Sequence, residues 1–143
     1  LKITLADSLN KRILFLQEVI DELQLKDIAA IHGRAEDLAR DAAYREQYDL
    51  CVSRAVANLS TLAEYCLPFV KIGGRFVSYK SGECDEEVKD AKSSVFLLGG
   101  KVKNVTKFKL GDAKRSFIAI EKVAGTSKKY PRKAGVPSKT PLK

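Results

Sequence analysis

Hydrophobic and polar positions along the first part of the chain follow two different periods. Residues 2–6 alternate polar and apolar side chains and are rich in strand formers, which predicts a short strand. Apolar residues then recur three or four positions apart, the period of an amphipathic helix that ends near Gln24. These residues are Leu9, Ile13, Leu16, Ile20 and Leu23. Residues 27–32 predict a second short strand, and residues 36–44 predict a weaker helix.

The same alternation continues through the middle of the chain. Tyr48–Ser53 is almost entirely apolar, which is typical of a strand buried on both faces of a parallel sheet. Helical spacing over residues 59–70 stops near Pro68, and residues 75–80 predict the next strand. Residues 83–98 have a helical pattern with an acidic first turn, a position where carboxylates suit the helix dipole.

Two long alternating segments follow. Residues 101–110 and 115–123 predict strands joined by a turn around Gly111-Asp112, and hence an antiparallel hairpin. Four strand–helix units before this hairpin predict an α/β, doubly wound fold with a mostly parallel sheet. Rossmann-like methyltransferases usually end in such a hairpin, whereas nicotinamide-binding folds usually stay parallel throughout. The order of elements therefore favours the methyltransferase architecture.

Composition narrows the class of protein further. The chain has 143 residues, the size of one domain, and its 45% hydrophobic and 31% charged fractions are ordinary for a globular protein. No apolar run is long enough to span a bilayer, and no secretory signal opens the chain. Three scattered cysteines predict free thiols in a reducing cytoplasm and neither a disulfide framework nor a metal site. Because the chain lacks methionine and begins with Leu1, we expect it to be part of a longer protein.

Positive charge is concentrated at the C-terminal end. The formal net charge is +8, and residues 126–143 contain six basic side chains and no acid. We therefore divide the chain into a body at 1–125 and a basic Pro/Lys-rich arm at 126–143, which we expect to be extended or disordered. A basic arm suggests a polyanionic partner, most simply RNA. A solvated tail that only aids solubility explains the same composition equally well.

Polar side chains stand where the predicted parallel strands end, the edge at which open α/β sheets bind ligands. Asp7 is positioned to accept hydrogen bonds from the ribose of an adenosine-containing cofactor, although capping of the next helix would also explain it. Glu36 suits an adenine amino group, or is simply a first-turn acid of a short helix. Arg54 directly follows an apolar strand and suits a carboxylate or a phosphate, with a surface ion pair as the alternative.

Other reactive residue types give weaker signals. His32 is the only histidine, and a single histidine at a strand end is more often structural than catalytic. Cys51 and Cys66 lie on apolar faces and are expected in the core. The sequence contains no Ser/His/Asp, HExxH or Walker pattern, so it does not predict a hydrolase.

Five sequence blocks together resemble one protein family. They are DSLNKRILFL at 7–16, HGRAED at 32–37, SRAVANL at 53–59, YKSG at 79–82 and KKYPRKAGVPSKTPL at 128–142. In this order and over essentially the whole chain, they are similar to the bacterial ribosomal RNA small subunit methyltransferase G family, also called glucose-inhibited division protein B. The first and last blocks are the most specific.

The resemblance implies a reaction and a set of site residues. It implies methyl transfer from S-adenosyl-L-methionine to N7 of a guanine in 16S ribosomal RNA of the small ribosomal subunit. The sequence leaves the oligomeric state open, and we expect a monomer in the cytoplasm. Ala35 and Glu36 would contact the adenine side of the cofactor, beside the ribose position given to Asp7 by its place at a strand end. Arg54 would be a cofactor-site arginine that, with Lys80, positions the reactants. The RNA-binding residues would be Arg34, Lys80, Arg115, Lys128, Lys129, Arg132 and Lys133.

The family carries a further strand and a glycine-rich D-x-G-x-G-x-G loop before the DSLNKR block. The strand lies centrally in the family's sheet, so we expect the strands around residues 3–6 and 50–53 to be roughly 10 Å apart or to pair differently here. We also expect this segment alone to bind the cofactor poorly and to be inactive. Two alternatives stay open: a nicotinamide-dependent dehydrogenase, which would also place an acid at Asp7, and a non-catalytic RNA-binding module that uses the arm.

Overall fold

A computed structural model describes residues 1–54 and 57–143. Strands and helices alternate through most of these residues, as the hydrophobic pattern predicts. The strands are β1 (Ile3–Asp7), β2 (Ile28–His32), β3 (Tyr48–Ser53), β4 (Val70–Ser81), β5 (Gly100–Leu110) and β6 (Ala113–Lys122). The helices are α1 (Asn10–Glu22), α2 (Ala35–Leu38), α3 (Leu59–Cys66), α4 (Asp85–Leu97) and α5 (Val136–Lys139), with a 3₁₀ turn at Leu67–Phe69.

The strands form two sheets. β1 and β2 pair in parallel, and a second sheet has the order β3-β4-β6-β5. Within it β3 and β4 are parallel, whereas β6 runs antiparallel to both β4 and β5. The α/β class and the closing antiparallel hairpin predicted from the sequence are therefore confirmed.

β1 and β3 belong to different sheets and share no backbone ladder in the part of the chain that the structure describes. Of the two expected arrangements, direct pairing of these strands is therefore not observed, and their separation by roughly two strand spacings stays a prediction. Contact between the two sheets includes a side-chain hydrogen bond, in which the Tyr48 hydroxyl donates to the Thr4 Oγ1 atom at 3.1 Å.

The core lies between α3, α4 and one face of the four-stranded sheet. α3 is buried along almost its whole length, because its apolar residues face both the sheet and α4. Phe76 of β4 and Ile118 and Ile120 of β6 supply the sheet side of this core. A Cβ atom at Gly100 would lie 2.9 Å from both Leu67 and Ile120 side-chain atoms, so this position needs glycine for close packing.

The expectation that β3 is buried on both faces is wrong. Leu50 and Val52 are 55% and 53% exposed. Their partners in the register are Arg75 and Val77, on the face of β4 opposite Phe76, and α3 and α4 cover only the Phe76 side. Leu50 and Val52 do form a strand as predicted, but none of the described residues packs over their face of the sheet.

Three predicted boundaries also differ. The helix expected over residues 36–44 is the single turn α2, followed by hydrogen-bonded turns. The helix expected over residues 59–70 ends at Cys66 and tightens into the 3₁₀ turn containing Pro68, which has no N–H to continue an α-helix. β4 begins at Val70, earlier than expected, because Gly74 allows a close approach of β3, where a Cβ would lie 2.7 Å from the Asp49 carbonyl oxygen.

The segment of residues 126–143, here called the C-terminal segment, is packed against the body. Thr126 is buried and donates through Oγ1 to the Leu98 carbonyl at 2.6 Å, and Pro131 and Pro137 are buried as well. The segment also contains the short helix α5. The expectation of an extended or disordered arm is wrong, because the arm makes specific polar contacts that its composition does not reveal.

Candidate functional site

The carboxyl ends of β1 and β2 bring Asp7 next to His32 in the parallel register. The Asp7 carboxylate accepts a hydrogen bond from the Leu9 N–H at 2.8 Å and lies 3.4 Å from an Arg12 guanidinium nitrogen. Asp7 therefore orders the turn that leads into α1, but it is not the helix N-cap that the alternative expected, because Leu9 occupies that position without a side-chain capping bond. Its second oxygen has only the long Arg12 contact among the contacts observed, and a carboxylate offers about four acceptor positions, so capacity for a ligand hydroxyl remains.

His32 ties the end of β2 to the loop after β1. Its Nε2 atom lies 3.0 Å from the Ser8 carbonyl oxygen, so Nε2 carries the hydrogen that it donates. The Gly33 N–H donates to the Asp7 carbonyl at 3.0 Å beside it. These bonds fix the two strand ends together, and they give His32 the structural role that the sequence favoured.

The turn after β2 holds Arg34, Ala35 and Glu36. Arg34 is exposed, whereas Glu36 is 3% exposed although it is charged. The Glu36 Oε2 atom accepts a hydrogen bond from the Gly135 N–H at 2.8 Å and lies 3.6 Å from the Arg34 Nε atom. The predicted adenine-side residue is thus covered and hydrogen-bonded by the C-terminal segment.

Arg54 directly follows β3, and Lys80 lies at the carboxyl end of the neighbouring parallel strand β4. Arg54 is exposed, and the two residues after it lie outside the described ranges. Lys80 is largely buried, and its ammonium donates to the Ala57 carbonyl at 2.7 Å and to Glu87 at 2.9 Å. Lys80 therefore connects the chain that follows Arg54 to α4.

The hairpin β5–β6 carries Arg115, which is exposed. A cavity of about 260 Å³ lies beside it and is lined by four cationic side chains and by Phe108, among others. One of these cations, Lys107, contacts Asp85 at 2.8 Å and Glu83 at 3.1 Å, and these carboxylates raise the pKa of Lys107. Arg115 and the neighbouring lysines form a positive surface at the ligand-binding edge of the sheet.

The four basic residues predicted to bind RNA through the C-terminal segment fall into two groups. Lys128, Lys129 and Lys133 are exposed. Arg132 instead binds Glu64, with NH2 2.8 Å from Oε2 and Nε 3.0 Å from Oε1. The Glu64 hydrogen bonds raise the pKa of Arg132, and Glu64 itself is fully buried.

Two buried charged residues were not predicted from the sequence. Glu64 is the only acid in the apolar helix α3, and a single charge within such a pattern was a usable signal for a buried ion pair. Lys122 is also fully buried, and its ammonium donates to the Leu67 and Val70 carbonyls at 2.7 and 2.8 Å. Burial lowers the pKa of Lys122, and Glu46 at 3.4 Å opposes that shift.

The cysteines are free in the structure, as the sequence predicted. Cys66 and Cys84 are buried, and Cys51 is half-buried against the same core. A hydrogen bond between the Cys51 and Cys66 thiols lowers the pKa of Cys51 and raises that of Cys66. No helix in the described ranges has the length and apolar character needed to cross a membrane.

Solved structures define the class of this fold. TYW2 of M. jannaschii, solved in complex with AdoMet, superposes with a TM-score of 0.65 at 14% identity, over 85% of this chain and 58% of its own. An rRNA methylase from Streptococcus thermophilus gives a TM-score of 0.61 at 15% identity, over 86% of this chain and 74% of its own. The fold is that of the class I S-adenosylmethionine-dependent methyltransferases.

The sequence comparisons name the family. The sequence profile of rRNA small subunit methyltransferase G matches residues 1–118. A ribosomal RNA small subunit methyltransferase G of Clostridium botulinum (strain Loch Maree / Type A3) is 52% identical over 100% of this chain and 61% of its own length. The protein of that name in Acetivibrio thermocellus is 53% identical over 99% of this chain and 59% of its own. The chain belongs to the rRNA small subunit methyltransferase G family and spans about 60% of the length of these relatives.

Proposed function

We propose that the full-length protein transfers a methyl group from S-adenosylmethionine to N7 of a guanine in 16S ribosomal RNA, in the bacterial cytoplasm. The observation that carries the proposal is 52% identity across the whole chain to a ribosomal RNA small subunit methyltransferase G. The chain covers about 60% of such relatives, so activity belongs to the protein at their full length.

The residues at the strand ends fit the cofactor. Ribose hydroxyls and an adenine amino group are hydrogen-bond donors, and Asp7 and Glu36 are acceptors at adjacent strand ends. Ala35 precedes Glu36 and offers backbone groups to the ring edge. Arg54, exposed directly after β3, suits the carboxylate of the cofactor's methionine part through a guanidinium fork. Together these residues would hold an adenosine-containing cofactor.

The chemistry requires positioning more than proton transfer. When bound, S-adenosylmethionine supplies an electrophilic methyl group on a sulfonium centre. Guanine N7 carries an available lone pair, so no residue needs to deprotonate it before attack. The structural role of His32 agrees with this reaction. Arg54 and Lys80 would contribute by fixing the reactants and the adjacent loop.

The RNA-binding surface would use the exposed cations. Arg34 and Arg115 lie at the ligand-binding edge, and Lys128, Lys129 and Lys133 lie on the C-terminal segment. Such side chains contact phosphates and make affinity strongly dependent on salt. Lys80 and Arg132 were also predicted to bind RNA, and their observed partners, Glu87 and Glu64, favour positioning roles.

The proposal is tested with Arg54→Ala in the full-length protein. We expect S-adenosylmethionine to bind at least about tenfold more weakly, because removing one charged hydrogen-bonding group at such a site costs roughly 1.5–3 kcal/mol. Calorimetric titration and transfer of labelled methyl groups to small ribosomal subunits measure the two effects.

The matched control is Lys92→Ala, which removes one exposed charge from α4. It is expected to change neither quantity. Unchanged binding and unchanged methylation in Arg54→Ala would remove Arg54 from the site. If the unmodified protein bound a nicotinamide dinucleotide instead of S-adenosylmethionine, the dehydrogenase alternative would replace the proposal.

A further inference from the structure

The C-terminal segment covers the same turn that holds the predicted adenine-side residues. It crosses α3 and reaches Glu36, which follows β2 almost a hundred residues earlier in the chain. Three polar contacts to α2 and α3 hold its last part: Arg132 with Glu64, Gly135 with Glu36, and the Pro137 carbonyl with the Thr61 hydroxyl at 3.0 Å. Its earlier part is held by Arg40 and Arg45, which donate to the Pro131 and Tyr130 carbonyls. The contact between Gly135 and Glu36 joins the segment to the candidate cofactor site.

The Arg132–Glu64 pair anchors the segment. Glu64 is fully buried, and it accepts from the Arg132 guanidinium at 2.8 and 3.0 Å and from the Arg132 backbone N–H at 2.8 Å. The same guanidinium also donates to the Thr140 carbonyl at 2.7 Å, which closes the segment on itself. Without Arg132 the buried Glu64 carboxylate loses its counter-charge, which weakens docking of this part of the segment.

The anchor determines where Gly135 lies. Only two residues separate Arg132 from Gly135, and the Thr61–Pro137 bond holds the chain again two residues further on. Gly135 has a φ of +88°, a left-handed conformation that directs its N–H to Glu36 at 2.8 Å. Arg34 is the other partner of Glu36 and is more distant, at 3.6 Å. The C-terminal segment therefore provides the shortest hydrogen bond to the Glu36 carboxylate.

We propose that Arg132 is a positioning residue for the cofactor, acting through Gly135 on Glu36, so that the docked C-terminal segment sets the geometry of the adenine-side turn. This inference rests on the proposed function, because it takes Glu36 as a cofactor contact. It gives Arg132 a different task from its exposed neighbour Lys133, which faces solvent and suits phosphate.

The arrangement couples RNA and cofactor. Lys128, Lys129 and Lys133 lie on the segment whose docking holds Glu36. Coupling free energies are reciprocal, so docking that favours the cofactor must itself be favoured by the cofactor to the same extent. A segment that contacts RNA and supports the cofactor turn can make each ligand favour the other.

The first experiment measures S-adenosylmethionine binding to the full-length protein without RNA. Arg132→Gln and Glu64→Gln are each expected to raise Kd at least about fivefold, the lower end of typical coupling between sites. The double variant is expected to lose no more than either single variant, because both break one contact. Lys139→Gln is the matched control, because it removes an exposed charge from the same segment, and it is expected to leave Kd unchanged.

A second experiment, in protein that carries Glu36→Ala, separates positioning of the cofactor site from general destabilisation of the fold. If Arg132 acts through Glu36, Arg132→Gln has little further effect on the Kd of Glu36→Ala protein. The same substitution is expected to lower the melting temperature whether residue 36 is Glu or Ala. An equal loss of affinity in both backgrounds, or none in either, overturns the inference.

Hydrogen exchange of the unmodified protein decides the matter if the variants fail to fold. S-adenosylmethionine is expected to slow exchange at the amides of residues 135–140 more than at the β5–β6 turn. Equal protection at the two places overturns the inference while leaving the proposed function intact. If the unmodified protein binds no S-adenosylmethionine at all, the proposed function fails and the inference fails with it.

Discussion

At the scale of single residues, the molecule depends on buried charges that have complete partners. Lys122 satisfies two backbone carbonyls at the point where the 3₁₀ turn leads into β4, and Glu46 supplies its counter-charge. Glu64 has the equivalent role under the C-terminal segment. In each case the charge fixes the place where two distant parts of the chain meet, a task that an apolar side chain of similar size would not perform.

We predict that Lys122→Met lowers the free energy of unfolding by about 2–4 kcal/mol, because it leaves two buried carbonyls and Glu46 without a donor. Chemical denaturation followed by circular dichroism measures the change. Lys92→Met, at an exposed position on α4, is the control and is expected to stay within about 0.5 kcal/mol of the parent. A similar effect for both variants would mean that the Lys122 contacts contribute little.

At the scale of elements, the turns at the ends of α4 and β5 show how glycine is used in two ways. Gly99 and Gly111 both have left-handed backbone conformations, with φ of +88° and +64°. A Cβ at Gly99 would lie 2.2 Å from the Ala124 carbonyl oxygen, whereas one at Gly111 would meet nothing within 4 Å. Gly111 is needed for conformation alone, and Gly99 for both conformation and space.

The expected result is that Gly111→Ala destabilises the protein by about 1–2 kcal/mol and Gly99→Ala by about 2–5 kcal/mol, because overpacking is added to the left-handed cost. Thermal or denaturant unfolding of the two variants, measured side by side, provides the comparison. Equal losses would show that the backbone beside Ala124 moves freely to admit a methyl group.

The elements also show how far the sequence could predict the structure. The period of α1 and the turn at Gly111-Asp112 are local patterns, so both were predicted with small boundary errors. The exposure of Leu50 depends on what covers the far face of the sheet, which residue spacing does not specify. Docking of the C-terminal segment was missed because Arg132 and Glu64 are 68 positions apart, so the isolated charge in α3 did not indicate which residue would be its partner.

The candidate site was predictable only where it depends on the positions at which strands end. Parallel strands end at one edge, so polar residues at strand ends could be grouped from the sequence, and Asp7 and His32 are paired there. The hydrogen bond from Gly135 to Glu36 joins residues 99 positions apart and has no local signature.

At the scale of the whole molecule, exposed cations lie on the C-terminal segment, at Lys128 and Lys133, and at the ligand-binding edge, at Arg115. We predict that Lys128→Gln combined with Lys133→Gln weakens RNA binding by the full-length protein and reduces the slope of log affinity against log salt by about 1 per lost phosphate contact. Filter binding or fluorescence anisotropy over a range of salt concentrations gives the slope. Lys89→Gln combined with Lys92→Gln on α4 is the control, and an equal reduction there would indicate only a general charge effect.

The central claim is methyl transfer to one guanine N7, and the most direct test maps the product. The full-length protein is incubated with labelled S-adenosylmethionine and small ribosomal subunits from cells that lack this enzyme, and the modified nucleoside is identified by mass spectrometry and located in the RNA. We expect 7-methylguanosine at one position of 16S ribosomal RNA. Label at another atom, at many positions, or nowhere despite cofactor binding would contradict it.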